Sequence, residues 1–160
     1  LMISSTFTGM IIQSFETALA GCVALTAFMP MLMGTGGNAG SQASVTIIRG
    51  LSLDEIEYKD TLKIMWKELR ISLVCGITLG AAGLVKIILI DNVSITVGIV
   101  VALTLIVTVI MAKIIGCSLP ILVKRLGFDP AVVVSPFITT VVDAMSLMIY
   151  FQIASMVLEL

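Results

Sequence analysis

The sequence predicts an all-α integral membrane fold with five transmembrane helices per chain, the first of them truncated, and three observations predict it. Apolar residues make up 59% and charged residues 12% of the 160, against about 45–50% and about 25% in soluble domains. Mean hydropathy is +1.19. The apolar residues are gathered into long stretches without strand alternation, and hydrocarbon cannot solvate backbone amides, so each stretch is read as a helix that closes its own hydrogen bonds.

Taken in order, residues 1–14 are apolar but shorter than the ~20 residues a crossing needs, and are read as the end of helix 1. No basic start or small-residue cleavage site marks them as a signal peptide. Residues 17–46 are read as helix 2, with a polar second half. Residues 47–70 are read as a cytoplasmic loop carrying a solvated interfacial helix. There Asp54, Glu55, Glu57, Asp60 and Glu68 are interleaved with Arg49, Lys59, Lys63, Lys67 and Arg70 at spacings that allow i,i+4 pairs, and Tyr58 and Trp66 suit the headgroup level. Helix 3 is expected over 71–90, where Gly76, Gly80 and Gly83 give the small-residue spacing that lets two membrane helices approach closely. Helix 4 is expected over 93–116 and helix 5 over 131–158. In the intervening connection, 117–130, Gly127-Phe128-Asp129-Pro130 reads as a helix end followed by a start, with Asp129 as N-cap and Pro130 at the first helical position.

Orientation follows from the basic residues, which collect in cytoplasmic loops near helix ends. Seven of the nine fall in the 47–70 and 117–130 connections. Those loops are therefore expected in the cytoplasm and the C-terminus outside, in a multi-pass protein of the cell membrane.

Several chemistries are disfavoured. Net charge is −1 and histidine is absent, which leaves no basic nucleic-acid face and no imidazole catalysis. No nucleophile–base pair is visible, so an enzyme is not expected. Cys22, Cys75 and Cys117 lack the short paired spacing of a metal site, and the ten methionines read as apolar filler.

Nine of the ten acidic residues lie in loops or near helix ends, and Asp143 alone is deep. Counted from Pro130 at 1.5 Å per residue, it lies roughly 20 Å along helix 5, near the middle of a core about 30 Å thick. A carboxylate there costs several kcal/mol unless it faces water, a cation or a polar partner. Thr139 and Thr140 lie one turn before it and Ser146 one turn after.

The second unusual stretch runs from Pro30 through Gly34, Gly36, Gly37, Asn38 and Gly40 to Gln42. Glycine and proline bare the backbone, which at membrane depth suits a polar path; close helix packing is the competing explanation. Asn38 lies eleven residues before Arg49, roughly 16 Å, and so shares a depth with Asp143. Gly34 lies one turn outward of Asn38, where its carbonyl can face the same path. Carboxylate, amide and carbonyl oxygens are hard ligands suited to Mg²⁺, Ca²⁺ or Mn²⁺. One carboxylate among five helices makes a thin wall, so a pore at a homodimer interface, with two copies of Asp143 and Asn38, is expected.

These residues resemble the MgtE family of magnesium channels and transporters. The resemblance rests on PMLMGTGGNAGSQASVTIIR from Pro30 to Arg49, LGFDPA from Leu126 to Ala131, and TTVVDAMSLMIYF from Thr139 to Phe151, and with the five crossings it extends over the whole chain. It implies a homodimeric, Mg²⁺-selective pore, with the family's ion-site aspartate at Asp143, its pore asparagine at Asn38, and pore carbonyls at Gly34 and Thr139. It also implies a cytosolic N-terminal domain and a CBS-domain pair; these residues include neither, and the expectation is the membrane part alone. Two rival functions remain at this point: a proton-coupled, alternating-access carrier using Asp143, and a non-transporting scaffold subunit.

Overall fold

The computed structural model describes residues 2–56 and 58–158. Leu1, Glu57, Glu159, Leu160 and the side chain of Tyr58 lie outside the described residues, and with them the acidic and headgroup-level positions expected there. The described chain is all-helical, with five α-helices of 13 to 31 residues and a six-residue one.

Helix α1 covers Met2–Ser14. The stretch expected as a single helix over 17–46 is three segments instead: α2 (Glu16–Gly21), a 3-10 segment (Val23–Phe28), and α3 (Met29–Ser52). The reason is tertiary. The buried Tyr150 hydroxyl donates to the Leu25 carbonyl at 3.0 Å, tying the tighter segment to the last helix. Pro30 then stands in the first turn of α3, where its missing N–H has no helical partner to lose. The glycine-rich run stays helical throughout.

The expected boundary between an interfacial helix and helix 3 is also absent. Helix α4 runs unbroken over Thr61–Lys86 and continues through a π-helical turn, Ile87–Asp91, closed by Asn92 in the left-handed region. Likewise α5 covers Ile95–Arg125 and passes through Pro120 rather than ending at 116, so the connection expected over 117–130 shrinks to 126–129. Ser94 caps α5 by accepting from the Val97 amide at 3.4 Å. Helix α6 covers Pro130–Leu158.

The α5–α6 connection follows its local chemistry. Gly127 has φ +82°, its amide donates to Lys124 and the Phe128 amide to Val123, the paired bonds of a helix ending on a left-handed glycine. Two residues on, the Asp129 carboxylate accepts from the Ala131 amide at 2.9 Å, as an N-cap does.

Three helical stretches are long and apolar enough to cross a membrane: Thr61–Asp91, Ile95–Arg125 and Pro130–Leu158. Helix α3, 24 residues or about 36 Å, has the length but a more polar composition. The apolar stretch of α5 is 56% buried within the chain, against 17% for α4 and 28% for α6, which makes α5 the central helix and leaves α4 and α6 with open faces.

Glycine sets the spacing around α5. On α4, a Cβ on Gly76 would meet the Ile106 backbone at 3.2 Å and one on Gly80 the Ala102 carbonyl at 3.0 Å, so the expected close approach takes place against α5. On α3, a Cβ on Gly36 would lie 2.7 Å from Thr108 Cγ2 and 2.9 Å from both Ser146 Oγ and Val142 Cγ1. Gly116 of α5 packs on the Gly40 backbone. Gly34, by contrast, has nothing within 4 Å of its Cβ position. Gly36→Ala is therefore expected to lower stability by about 1–3 kcal/mol through overpacking, while Gly34→Ala leaves it unchanged. Thermal unfolding of both variants in detergent checks the contrast, and equal melting temperatures would contradict it.

Candidate functional site

Helices α3 and α6 run antiparallel and meet along a seam. The register can be read from its contacts. At one end Arg49, Ser41 and Ser44 share an open groove of about 290 Å³ with Ala131 and Ser135. In the middle Gly37 faces α6, its Cβ position 3.6 Å from Asp143 Oδ1 and 4.0 Å from Thr139 Cγ2. At the far end Leu25 meets Tyr150.

Asp143 is half-buried, one residue from the midpoint of the 29-residue α6. Among the described residues, none forms a hydrogen bond or an ion pair with its carboxylate; Lys86 and Lys113 are paired elsewhere, with Asp91 and Glu68. Thr139 is exposed, and the Thr139 and Thr140 hydroxyls both donate to the Pro136 carbonyl, at 3.1 and 2.9 Å. Pro136 lies inside the helix without an amide proton, so the Val132 carbonyl one turn earlier has no helical donor.

On α3, Gly34 and Asn38 are exposed, in line with Gln42, Val45 and Arg49 on the same face. Asn38 adjoins Gly37, the residue against Asp143, yet no hydrogen bond among the described residues joins the Asn38 amide to that carboxylate. Gly34 stands a turn further along, open to its surroundings. The structure thus brings Asp143 and Thr139 together around Gly37 and sets Asn38 and Gly34 on the adjoining exposed face. Ser146, expected beside Asp143, is buried toward Gly36 and donates to Val142 at 2.6 Å.

The glycine-rich run accordingly divides. Gly36 and Gly40 face α5 and α6 as packing positions, Gly37 admits Asp143 and Thr139, and Gly34 is open. Three polar residues of the seam escaped the sequence reading: Ser44, Ser135 and, as a mouth residue, Arg49. A signal was present for one of them, since Ser135, Thr139 and Asp143 recur at i, i+4 and i+8 on one helix face.

A second polar feature was also missed. Glu68 of α4 and Lys113 of α5 form an ion pair at 3.2 Å with both side chains only 12% exposed. Lys113 is therefore engaged on the opposite side of α5 from the seam. At the basic end, Lys124 donates to the Leu51 carbonyl at 2.6 Å, joining the end of α5 to the end of α3. At the other end Lys86 pairs with Asp91 at 2.7 Å and lies 5.9 Å above the Phe28 ring. The three cysteines are unbonded thiols, and no group of three or more His, Cys, Asp or Glu among the described residues is arranged to hold a metal.

Comparison with known proteins bears on this seam directly. The family model described as MgtE, divalent cation transporter, matches residues 29–153, which contain all of α3 and α6 as far as Ile153. The magnesium transporter MgtE of Thermus thermophilus is 36% identical over 159 residues, 99% of this chain and 35% of its own length. That of Bacillus subtilis is 39% identical over 156 residues, 97% of this chain and 34% of its own. That of Enterococcus faecalis is 31% identical over 149 residues, 93% of this chain and 33% of its own. The chain spans about a third of the length of these curated relatives.

Proposed function

This chain belongs to the MgtE family, and from that premise we propose that it forms the membrane-embedded pore of a magnesium importer. The carrying observation is Asp143, a mid-helix carboxylate without a described partner, on a polar seam that leads to an open groove at the basic end. A lone carboxylate does not cage a divalent ion. Mg²⁺ keeps its waters reluctantly exchanged, so two chains facing each other across their α3–α6 seams would hold the hydrated ion between two Asp143 carboxylates. Asn38 and the Gly34 and Thr139 carbonyls then take its water shell, and Mn²⁺ or Ca²⁺ can occupy the same place.

In this reading the chain crosses the cell membrane five times as a homodimer, with its Arg49–Arg70 and Lys124–Arg125 ends in the cytoplasm and its C-terminus outside. The inward-negative potential drives entry at about 2.3 kcal/mol per charge per 100 mV. It has no catalytic step.

Reconstitution in liposomes tests the proposal. Mg²⁺ influx is expected to follow an imposed potential, to persist with equal pH on both sides, and to appear as single-channel current in planar bilayers. Flux that requires a pH gradient would favour a proton-coupled carrier, and no flux at all a scaffold subunit. Cross-linking or mass measurement that finds an active monomer would remove the dimeric pore.

A further inference from the structure

Helix α4 with its π turn spans 31 residues, about 46 Å at the helical rise, roughly 16 Å more than a hydrocarbon core. That excess corresponds to about the first ten residues, Thr61 to Arg70, which include Lys63, Lys67 and Arg70. At i, i+4 and i+7 these three share one face of the helix. All three are exposed, and among the described residues none of them has an ion-pair or hydrogen-bond partner. Trp66, 61% exposed, stands beside them at a position suited to the headgroup layer.

Two open grooves lie along this face and are continuous. One, about 530 Å³, is lined by Lys63, Trp66, Lys67 and Arg70 together with Glu55 and Asp60. The next, about 490 Å³, shares Lys67 and Arg70 and continues along Ile71, Val74 and Cys75. The face thus changes from cationic to apolar within two helical turns, the same order of groups as phosphate followed by acyl chain in a phospholipid. The three basic residues outnumber Glu55 and Asp60 in this lining, so the net charge offered to a ligand is positive.

We infer that this face of α4 is a binding site for one anionic phospholipid of the leaflet at the basic end, its phosphate on Lys67 and Arg70 with Lys63 alongside, and an acyl chain along Ile71, Val74 and Cys75. The site rests on the membrane orientation proposed above and is separate from the Asp143 seam, since it uses the helix on the opposite side of α5.

The test is lipid retention by native mass spectrometry of the full chain, delipidated in detergent and offered equimolar phosphatidylglycerol and phosphatidylcholine. Phosphatidylglycerol is expected to be retained about ten- to a hundredfold better, the scale set by two or three basic residues near an anionic surface. Lys67→Gln/Arg70→Gln, which removes two exposed and unpaired charges, is expected to bring the ratio close to one without altering the melting temperature. Asp143→Ala is expected to keep the full preference, so loss of transport and loss of lipid binding can be told apart. Equal retention of the two lipids by the parent chain would overturn the inference. So would an unchanged preference in the double variant, or displacement of the lipid by millimolar glycerol 3-phosphate, which would mark a site for soluble phosphate instead.

Discussion

Asp143→Ala is expected to abolish Mg²⁺-dependent growth rescue of a magnesium-starved host while leaving the amount of protein in the membrane unchanged. The size of the effect follows from electrostatics. A divalent ion 5 Å from a carboxylate at an effective dielectric of about 20 is held by roughly 6–7 kcal/mol. If desolvation offsets half of that, the remainder still corresponds to a more than hundredfold loss of occupancy, at about 1.4 kcal/mol per factor of ten. Stability should move little or rise, because no described residue depends on this carboxylate for a hydrogen bond or ion pair, and because removing a charge from membrane depth is favourable. Asp143→Asn, similar in size and uncharged, is expected to be equally inactive. Full rescue by the alanine variant refutes the site assignment; loss of the protein from the membrane would instead indicate a structural role.

The largest effect on stability is expected on the other side of α5. Glu68 and Lys113 hold each other at 3.2 Å, each 12% exposed, so removing one leaves the other charge uncompensated. Glu68→Leu or Lys113→Met alone should cost about 3–5 kcal/mol, whereas the double substitution replaces the pair by apolar groups and should recover most of that loss. Thermal unfolding of the three variants in one detergent reads this as a cycle. Single variants that melt with the parent would show that the pair contributes nothing. Restoration of melting in the double variant would also separate this pair, as packing between α4 and α5, from the transport chemistry at the seam.

The parts of this fold that were legible in the sequence are those set by local chemistry. Gly127, Asp129 and Pro130 state a helix end and a helix start within four residues, and α6 begins at Pro130 as they require. Gly76, Gly80 and Gly83 announce a close helix approach, though not that α5 is the partner. The break in the 17–46 stretch was not legible, because the bond that holds it comes from Tyr150, 125 residues from Leu25. The continuity of α4 was hidden for a different reason. Charge composition marks where a chain leaves the hydrocarbon, and a helix longer than the bilayer does not end there.

The candidate site shows the same division. By itself the sequence pointed to a helical membrane protein with Asp143 as its anomalous charge, because hydropathy and the energetics of burying a charge depend on residue type and local spacing alone; its motifs gave the resemblance to the MgtE family that the comparisons then showed. Only the tertiary structure decided which glycines of the 34–40 run pack and which admit other groups, that Gly37 is the residue set against Asp143 and Thr139, and that Lys113 is occupied by Glu68 rather than left free for Asp143. These are distances between helices far apart in the chain. They depend on how side chains interlock across α3, α5 and α6, and one-dimensional periodicity gives the face a residue occupies but not the neighbour it meets.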